Sequence, residues 1–199
     1  MWPQAEAKFR EAIDAGFARA EALYFLGAAL SEQRKHREAA DVFAAAYAKD
    51  PGDFDIAMAY GQSLMRQKRV EESEHVLATA ARDNPMEAAP LVELARARVA
   101  RDDYPGALEL YRKAVALEPS NASIRREAAQ MLSALERHAE AIAEAEQALR
   151  LNPEGRETWD TYATLLARAA RSADAEVAAR RARELGRAPK PRMSNVRPM

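Results

Sequence analysis

Four proline-containing segments divide the sequence at a constant interval of 34 residues: Asp50-Pro51-Gly52-Asp53, Asn84-Pro85-Met86-Glu87, Glu118-Pro119-Ser120-Asn121 and Asn152-Pro153-Glu154-Gly155. Proline cannot continue a helix, and it disfavours helical conformation in the residue before it. A polar residue that follows can cap the next helix. The segments are therefore predicted to be turns between helices, and their regular spacing indicates a stacked repeat.

The composition predicts helices throughout the chain. Ala, Leu, Glu, Arg and Lys, which favour helix, are common, whereas only 7 residues are glycine and β-branched residues are sparse. No window shows the sustained alternation of a half-buried strand. The fold class is predicted to be all-α.

Small residues recur at three positions when each proline is counted as position 32 of a repeat. Positions 8, 20 and 27 hold only Gly, Ala or Ser: Gly27, Gly61, Ala95, Ala129, Ala163; Ala39, Ser73, Ala107, Ala141, Ala175; Ala46, Ala80, Ala114, Ala148, Ala182. Small side chains allow two helices to approach closely where they cross. Each repeat is therefore predicted to be a hairpin of helix A, over about positions 2–14, and helix B, over about positions 18–31.

With this period, these small residues and the late proline, the sequence resembles the tetratricopeptide repeat family. The resemblance implies an α-solenoid, a right-handed superhelix of about five helical hairpins, with the A helices on its inner surface. The predicted repeats are 20–53, 54–87, 88–121, 122–155 and 156–186. Gly186 is expected to end the last helix in a left-handed conformation, before a disordered basic tail at 187–199.

Four residues depart from the family pattern. Arg98 and Arg125 stand at positions that mostly hold large apolar residues, and Ala145 and Ala179 are smaller than is usual there. We therefore expect looser packing in the fourth and fifth repeats.

The first residues align with only half of a repeat. Residues 3–15 match the start of helix B of the third repeat, Pro105-Gly106-Ala107, so 1–19 is predicted to be a half-repeat containing helix B alone. This helix could cap the stack, or the chain could be a piece of a longer repeat array, which we favour. Alternatively, its uncovered face could pair with a second copy of the chain.

Charge and composition exclude several function classes. With 30 basic and 31 acidic residues and a net charge of −1, the chain has no broad field for nucleic acid. The absence of cysteine excludes disulfides and thiol chemistry. No stretch approaches the roughly 18 apolar residues that span a bilayer, so no membrane insertion is expected. We predict a cytoplasmic location, and the Ala- and Arg-rich composition favours a bacterial source.

The sequence contains no recognisable catalytic or metal-binding motif. His36 and His138 are expected in turns between helices A and B, and His75 on a B helix, so none has a partner three or four residues away for a helical metal pair. Phosphate-binding glycine loops and nucleophile motifs are absent. The prediction is a protein with no enzymatic activity, no catalytic residue, no metal and no cofactor.

The resemblance implies that a partner protein or peptide binds along the A helices, at positions 2, 5, 9 and 12 with 6 and 13 beside them. The predicted groove residues are Tyr24, Phe25, Met58, Gln62, Met65, Val92, Arg96, Val99, Arg126 and Gln130. Met58 and Val92 could equally pack between adjacent A helices. The N-terminal half of the groove is apolar and suits an apolar peptide or an amphipathic helix, whereas the C-terminal half is polar.

Two binding modes of the family do not match these residues. Relatives that grip an acidic C-terminal tail place Lys and Asn at positions 5 and 9 of the first repeat, where this chain has Tyr24 and Ala28. An Asn ladder at position 6 is also absent. The predicted function is a non-enzymatic protein-interaction scaffold. The alternatives are a self-assembling solenoid, which forms a homo-oligomer through its ends, and a regulatory or targeting domain of a longer protein, possibly an enzyme.

Overall fold

The structure, a computed structural model, describes residues 1–187, and over that range its only regular secondary structure is α-helix. The helices are α1 (Trp2–Asp14), α2 (Ala20–Glu32), α3 (His36–Lys49), α4 (Phe54–Arg66), α5 (Val70–Asp83), α6 (Ala88–Val99), α7 (Tyr104–Leu117), α8 (Ala122–Ala134), α9 (His138–Leu151), α10 (Arg156–Arg168) and α11 (Ser172–Arg187). The prediction of an all-α fold is confirmed. The predicted tail beyond residue 187 lies outside the described residues. No helix within residues 1–187 combines the length and apolar composition required to cross a lipid bilayer.

The helices form two compact units. Unit 1 is Met1–Pro119 and contains α1 to α7, and unit 2 begins at Ser120 and contains α8 to α11. Within unit 1, α2 packs on α3, α4 on α5 and α6 on α7, and α3 and α5 each contact the A helix that follows. Unit 2 repeats this arrangement with α8 on α9 and α10 on α11. Each unit is a stack of helical hairpins, the architecture of an α-solenoid, and the repeat boundaries stay a prediction.

A left-handed residue closes the turn inside every hairpin. The φ angles lie between 58° and 61°, at residues that are 34 apart: Arg34, Lys68, Asp102, Glu136 and Ala170. Because this residue reverses the chain within three positions, helix B begins at position 17 rather than 18. His36 and His138 are therefore the first residues of α3 and α9, and their expected placement in the turn is wrong.

Polar residues cap the A helices after the proline turns. Asp53 accepts a hydrogen bond from the backbone amide of Ile56 at 2.9 Å. Asn121 accepts from the amides of Ser123 at 3.1 Å and Ile124 at 3.3 Å. These bonds satisfy amides that have no partner inside the helix, as the sequence predicted.

All fifteen small residues at positions 8, 20 and 27 are buried, which confirms that they mark helix crossings. A Cβ added at Gly27 would lie 2.7 Å from the Phe43 ring, and one at Gly61 would lie 2.7 Å from Leu77. The hydroxyl of Ser73 donates a hydrogen bond to the carbonyl of Gly61 at 2.8 Å. At these crossings glycine thus admits the large side chain of the facing helix.

The two arginines that depart from the repeat pattern form ion pairs with B helices. Arg125 forms an ion pair with Glu144 of α9 at 3.0 Å, and Arg98 forms one with Glu74 of α5 at 3.1 Å. The left-handed cap expected at Gly186 is wrong, because α11 continues through this residue to Arg187.

Candidate protein-binding site

The A helices of neighbouring hairpins lie close enough to share a surface. In unit 1, α4 contacts α6 directly, and in unit 2, α8 contacts α10. Within each unit, neighbouring A helices therefore lie side by side. Each unit has a cleft between two such helices.

The main cleft of unit 1 lies between α2 and α4 and has a volume of about 680 Å³. We call it the α2–α4 cleft. It is lined by Tyr24, Ala28, Ser31, Glu32, Arg34, His36, Phe43, Ala59, Gln62 and Arg66. Its wall therefore combines aromatic and methyl groups with a hydroxyl, an amide and several charged groups.

The aromatic part of this wall is fixed by packing. The Tyr24 ring lies 6.1 Å from the Phe43 ring and 5.3 Å from the Phe25 ring, centroid to centroid. Burial raises the pKa of Tyr24 above its ordinary value, and the nearby Asp55 and Asp53 raise it further. The phenol therefore stays protonated and can donate a hydrogen bond.

Only two of the predicted residues of unit 1, Tyr24 and Gln62, line the α2–α4 cleft. Met58, Met65 and Val99 are half-buried, and Arg96 is exposed. Val92 is 9% exposed and belongs to the core, so its predicted place on the binding surface is not supported.

Phe25 faces α1 rather than the cleft. Its ring stacks on Phe9 of α1 with centroids 5.7 Å apart and an angle of 14° between the ring planes. The side chain nevertheless remains 43% exposed. Phe25 therefore forms an aromatic surface shared with α1.

A polar cluster lies beside the α2–α4 cleft. Glu93 Oε1 accepts hydrogen bonds from Gln62 Nε2 at 3.0 Å and from Arg96 Nη1 at 2.9 Å. These bonds orient the Gln62 amide, and they leave its carbonyl oxygen able to accept a hydrogen bond from a ligand. Position 62 was predicted from the repeat, but its link to Glu93 was not.

The clefts of unit 2 are lined mainly by polar residues. A cleft of about 250 Å³ between α8 and α10 is lined by Gln130, Ser133, Asp160, Thr161, Thr164, Leu165 and Arg168. Gln130 Nε2 donates to Thr161 Oγ1 at 3.2 Å, and Arg168 Nη1 donates to Ser133 Oγ at 3.1 Å. Arg126 lines a separate cleft of about 560 Å³ and lies 3.5 Å from Glu157.

Sequence reasoning missed three residues of the α2–α4 cleft. Arg34, His36 and Phe43 stand at positions 15, 17 and 24 of the repeat, outside the predicted groove positions. The sequence does carry a weak indication that these turns differ from the others. Position 15 of the repeat is basic in the first two hairpins, at Arg34 and Lys68, but acidic in the next two. The repeat pattern alone does not show that the turn reaches the cleft.

Glu6 attaches α1 to the turn of the first hairpin. Its carboxylate accepts hydrogen bonds from Lys35 Nζ at 2.8 Å, Gln33 Nε2 at 2.8 Å and Arg10 Nε at 3.0 Å. These bonds, that of Lys35 foremost, lower the pKa of Glu6 from 4.5 to about 2. The charged carboxylate is thus the form that the folded state favours.

We expect the Glu6→Gln variant to unfold at a lower temperature than the wild type at pH 7. Because the pKa of Glu6 is lowered by folding, its contribution is complete above pH 4.5 and is lost as the pH falls towards about 2. Thermal unfolding followed by circular dichroism should show the difference between the two proteins vanishing over this range. Glu11→Gln, an exposed change on the same helix, is the control and should match the wild type throughout. A Glu6→Gln effect that persists unchanged at pH 2 would contradict this assignment.

The sequence matches family models of the tetratricopeptide repeat. One model matches residues 2–54 and 92–156, and a second matches residues 30–99. Together these ranges include α1 and every hairpin up to the start of α10. No curated protein matches the chain in sequence.

Solved structures share the fold at low sequence identity. MamA residues 41 to the end from Desulfovibrio magneticus RS-1 has a TM-score of 0.75 at 15% identity, covering 84% of this chain and 95% of that one. MamA of AMB-1 has a TM-score of 0.69 at 22% identity, covering 82% and 97%. YrrB, described as a TPR protein with an unusual peptide-binding site, has a TM-score of 0.67 at 16% identity, covering 89% and 91%. At these identities the likeness concerns the fold.

Proposed function

This chain belongs to the tetratricopeptide repeat family, and we propose that it binds a peptide segment or a helix of a partner protein in the α2–α4 cleft. Family membership supports a protein-interaction scaffold as the class of function. YrrB has a peptide-binding site, and this supports the same kind of ligand for the present chain. The absence of enzymatic activity, self-assembly through the ends and a cytoplasmic location stay predictions.

The observation that carries this proposal is the composition of the α2–α4 cleft. Its volume of about 680 Å³ is within the usual range for ligand sites of about 300–1,000 Å³. The half-buried Tyr24 ring and the methyl groups of Ala28 and Ala59 offer apolar surface to one or two side chains. The Ser31 hydroxyl and the Gln62 carbonyl oxygen are placed beside this surface to pair with peptide groups.

The test begins with peptides selected from a random twelve-residue phage library on the wild-type protein. Ala28→Gln is expected to weaken the selected peptides about tenfold, measured by fluorescence anisotropy, because its side chain enters the cleft. Ala28 is half-buried at the cleft wall, and glutamine is a good helix former, so the hairpin should remain folded.

Ala45→Gln is the matched control. Ala45 is exposed on α3, so the same change there adds the same atoms away from the cleft. Its peptide affinity should equal that of the wild type. If no peptides are selected, or if the two variants weaken binding equally, the proposed site is wrong.

A further inference from the structure

Five basic residues gather at the turns of the first two hairpins, at one end of the α2–α4 cleft. We call this group the basic edge: Arg34, His36, Arg37, Arg66 and Lys68. Arg34, His36 and Arg66 line the α2–α4 cleft, and an adjoining cleft of about 600 Å³ is lined by His36, Arg37, Asp41, Arg66, Gln67 and Lys68. Because His36 and Arg66 belong to both clefts, the five side chains form one continuous surface.

The arginines and the lysine of the basic edge form no ion pair within residues 1–187. In the second, fourth and fifth hairpins, the cation that precedes helix B pairs with an acid three residues later. The same contact recurs in these hairpins: Arg69 pairs with Glu72 at 2.6 Å, Arg137 with Glu140 at 2.6 Å and Arg171 with Asp174 at 2.8 Å.

In the first hairpin, Lys35 and Glu38 stand at the positions of this ion pair, but both pair with residues of α1 instead. Glu38 pairs with Arg10 of α1 at 2.9 Å, and Lys35 pairs with Glu6 of α1 at 2.8 Å. Arg34 and Arg37, which lie beside these paired residues in the sequence, have no carboxylate partner among the described residues. Their positive charge is therefore available to a ligand.

Neither the helix dipole nor the repeat pattern accounts for all the positive charges of the basic edge. Arg66 lies in the last turn of α4, where a cation is favourable, but Arg37 lies in the first turn of α3, where the helix dipole disfavours one. The charge is also specific to these hairpins, because the residues equivalent to Arg34 and Lys68 are Asp102, Glu136 and Ala170. Because the whole chain has a net charge of −1, the basic edge is a local patch of positive charge.

We propose that the basic edge selects acidic peptide segments, whose carboxylates lie at the hairpin turns while an apolar neighbour enters the α2–α4 cleft. This inference rests on the proposed function and specifies the chemistry of the partner. Glu32 and Asp41 line the same clefts and would repel a continuous polyphosphate backbone. A peptide can place two or three carboxylates among neutral residues and avoid them.

The acidic residues at the opposite end of α4 indicate which end of a bound segment should carry the carboxylates. Asp53 and Asp55 lie at the start of this helix, and Arg66 is its last residue. Asp55 and Arg66 are 11 positions apart on α4, which corresponds to about 16 Å, the length of about five extended residues. A segment lying along α4 should therefore carry its acidic residues at the Arg66 end.

The test uses the peptides selected on the wild-type protein. They should be enriched in Asp and Glu, and the Arg34→Glu/Lys68→Glu variant should bind them about tenfold or more weakly. The control is Lys8→Glu/Lys113→Glu, which makes the same charge change at exposed residues that line neither cleft. It should retain wild-type affinity, and circular dichroism should show that both variants are folded. Raising the salt from about 0.1 M to 1 M should weaken binding to the wild type, because the screening length falls from about 10 Å to 3 Å.

Three outcomes would overturn the inference. If the peptides show no acidic enrichment and bind the charge-reversed variant as well as the wild type, while Ala28→Gln still weakens them, the inference fails and the proposed function stands. If no peptides are selected, both fail. If a labelled twenty-nucleotide single-stranded DNA binds more tightly than the peptides and is lost in Arg34→Glu/Lys68→Glu, the basic edge is a nucleic-acid site instead.

Discussion

Replacing Gly27 with leucine is expected to lower the free energy of unfolding by about 3 kcal/mol. Even a single Cβ at this position would lie 2.7 Å from Cε1 and 2.8 Å from Cδ1 of Phe43. Phe43 is only 4% exposed, so its ring cannot swing into solvent to make room. The larger side chain must push α2 and α3 apart, which disrupts the core on both sides of the crossing.

A double-mutant cycle separates this steric conflict from any other effect of the substitution. Phe43→Ala alone should cost about 3–5 kcal/mol, because it empties a buried site. In Gly27→Leu/Phe43→Ala the introduced leucine can occupy the vacated space. The double variant should therefore lose about 2 kcal/mol less than the sum of the single losses, as measured by urea unfolding.

Gly52→Leu is the matched control for the glycine change. Gly52 is exposed, and the nearest atom to a Cβ there is Asp50 Oδ1 at 3.6 Å, an ordinary contact. The free energy of unfolding of the Gly52→Leu variant should differ from that of the wild type by no more than about 0.5 kcal/mol. Strictly additive losses in the Gly27 and Phe43 cycle would show that the two residues do not compete for space.

The fold could be predicted from the sequence because the same crossing of two helices recurs in every hairpin. A small residue at each crossing is required by the distance between two helices, so its spacing records the hairpin directly. All fifteen such residues proved to be buried. The one-residue error at His36 arose from the left-handed turn residue Arg34, whose conformation has no clear signal in an arginine side chain.

The candidate site was only partly predictable, because periodicity gives the face of a helix but not what covers it. Val92 lies on the predicted face, yet it is only 9% exposed. Phe25 was assigned to the groove, but Phe9 of α1 stacks on it. The ion pair of Arg10 with Glu38 joins α1 to α3 across 28 residues, so the pattern of a single repeat could not predict it.

An ion pair replaces leucine packing in the third hairpin. The residues equivalent to Arg98 are Leu30, Leu64, Leu132 and Leu166, all at most 2% exposed. Arg98 Nε instead lies 3.1 Å from Glu74 Oε1, and both atoms are buried without a well-aligned hydrogen bond. Glu74 also binds Arg101 at 2.8 Å, and Arg98 binds Asp103 at 3.0 Å. Two interdependent charges therefore stabilise the contact between α5 and α6.

Glu74→Leu is accordingly expected to lower the free energy of unfolding by about 2 kcal/mol. It leaves the buried Arg98 Nε without its opposite charge, although Asp103 and the partial exposure of the arginine side chain moderate the loss. Adding Arg98→Leu should restore stability to the wild-type level or above, because leucine at this position packs as in the other hairpins. Urea unfolding of the four proteins would measure the coupling. Glu71→Leu, at a side chain that is 74% exposed and 3.9 Å from Arg101, is the control and should change stability by no more than about 0.5 kcal/mol. A double variant less stable than Glu74→Leu alone would show that Arg98 stabilises this hairpin through contacts other than Glu74.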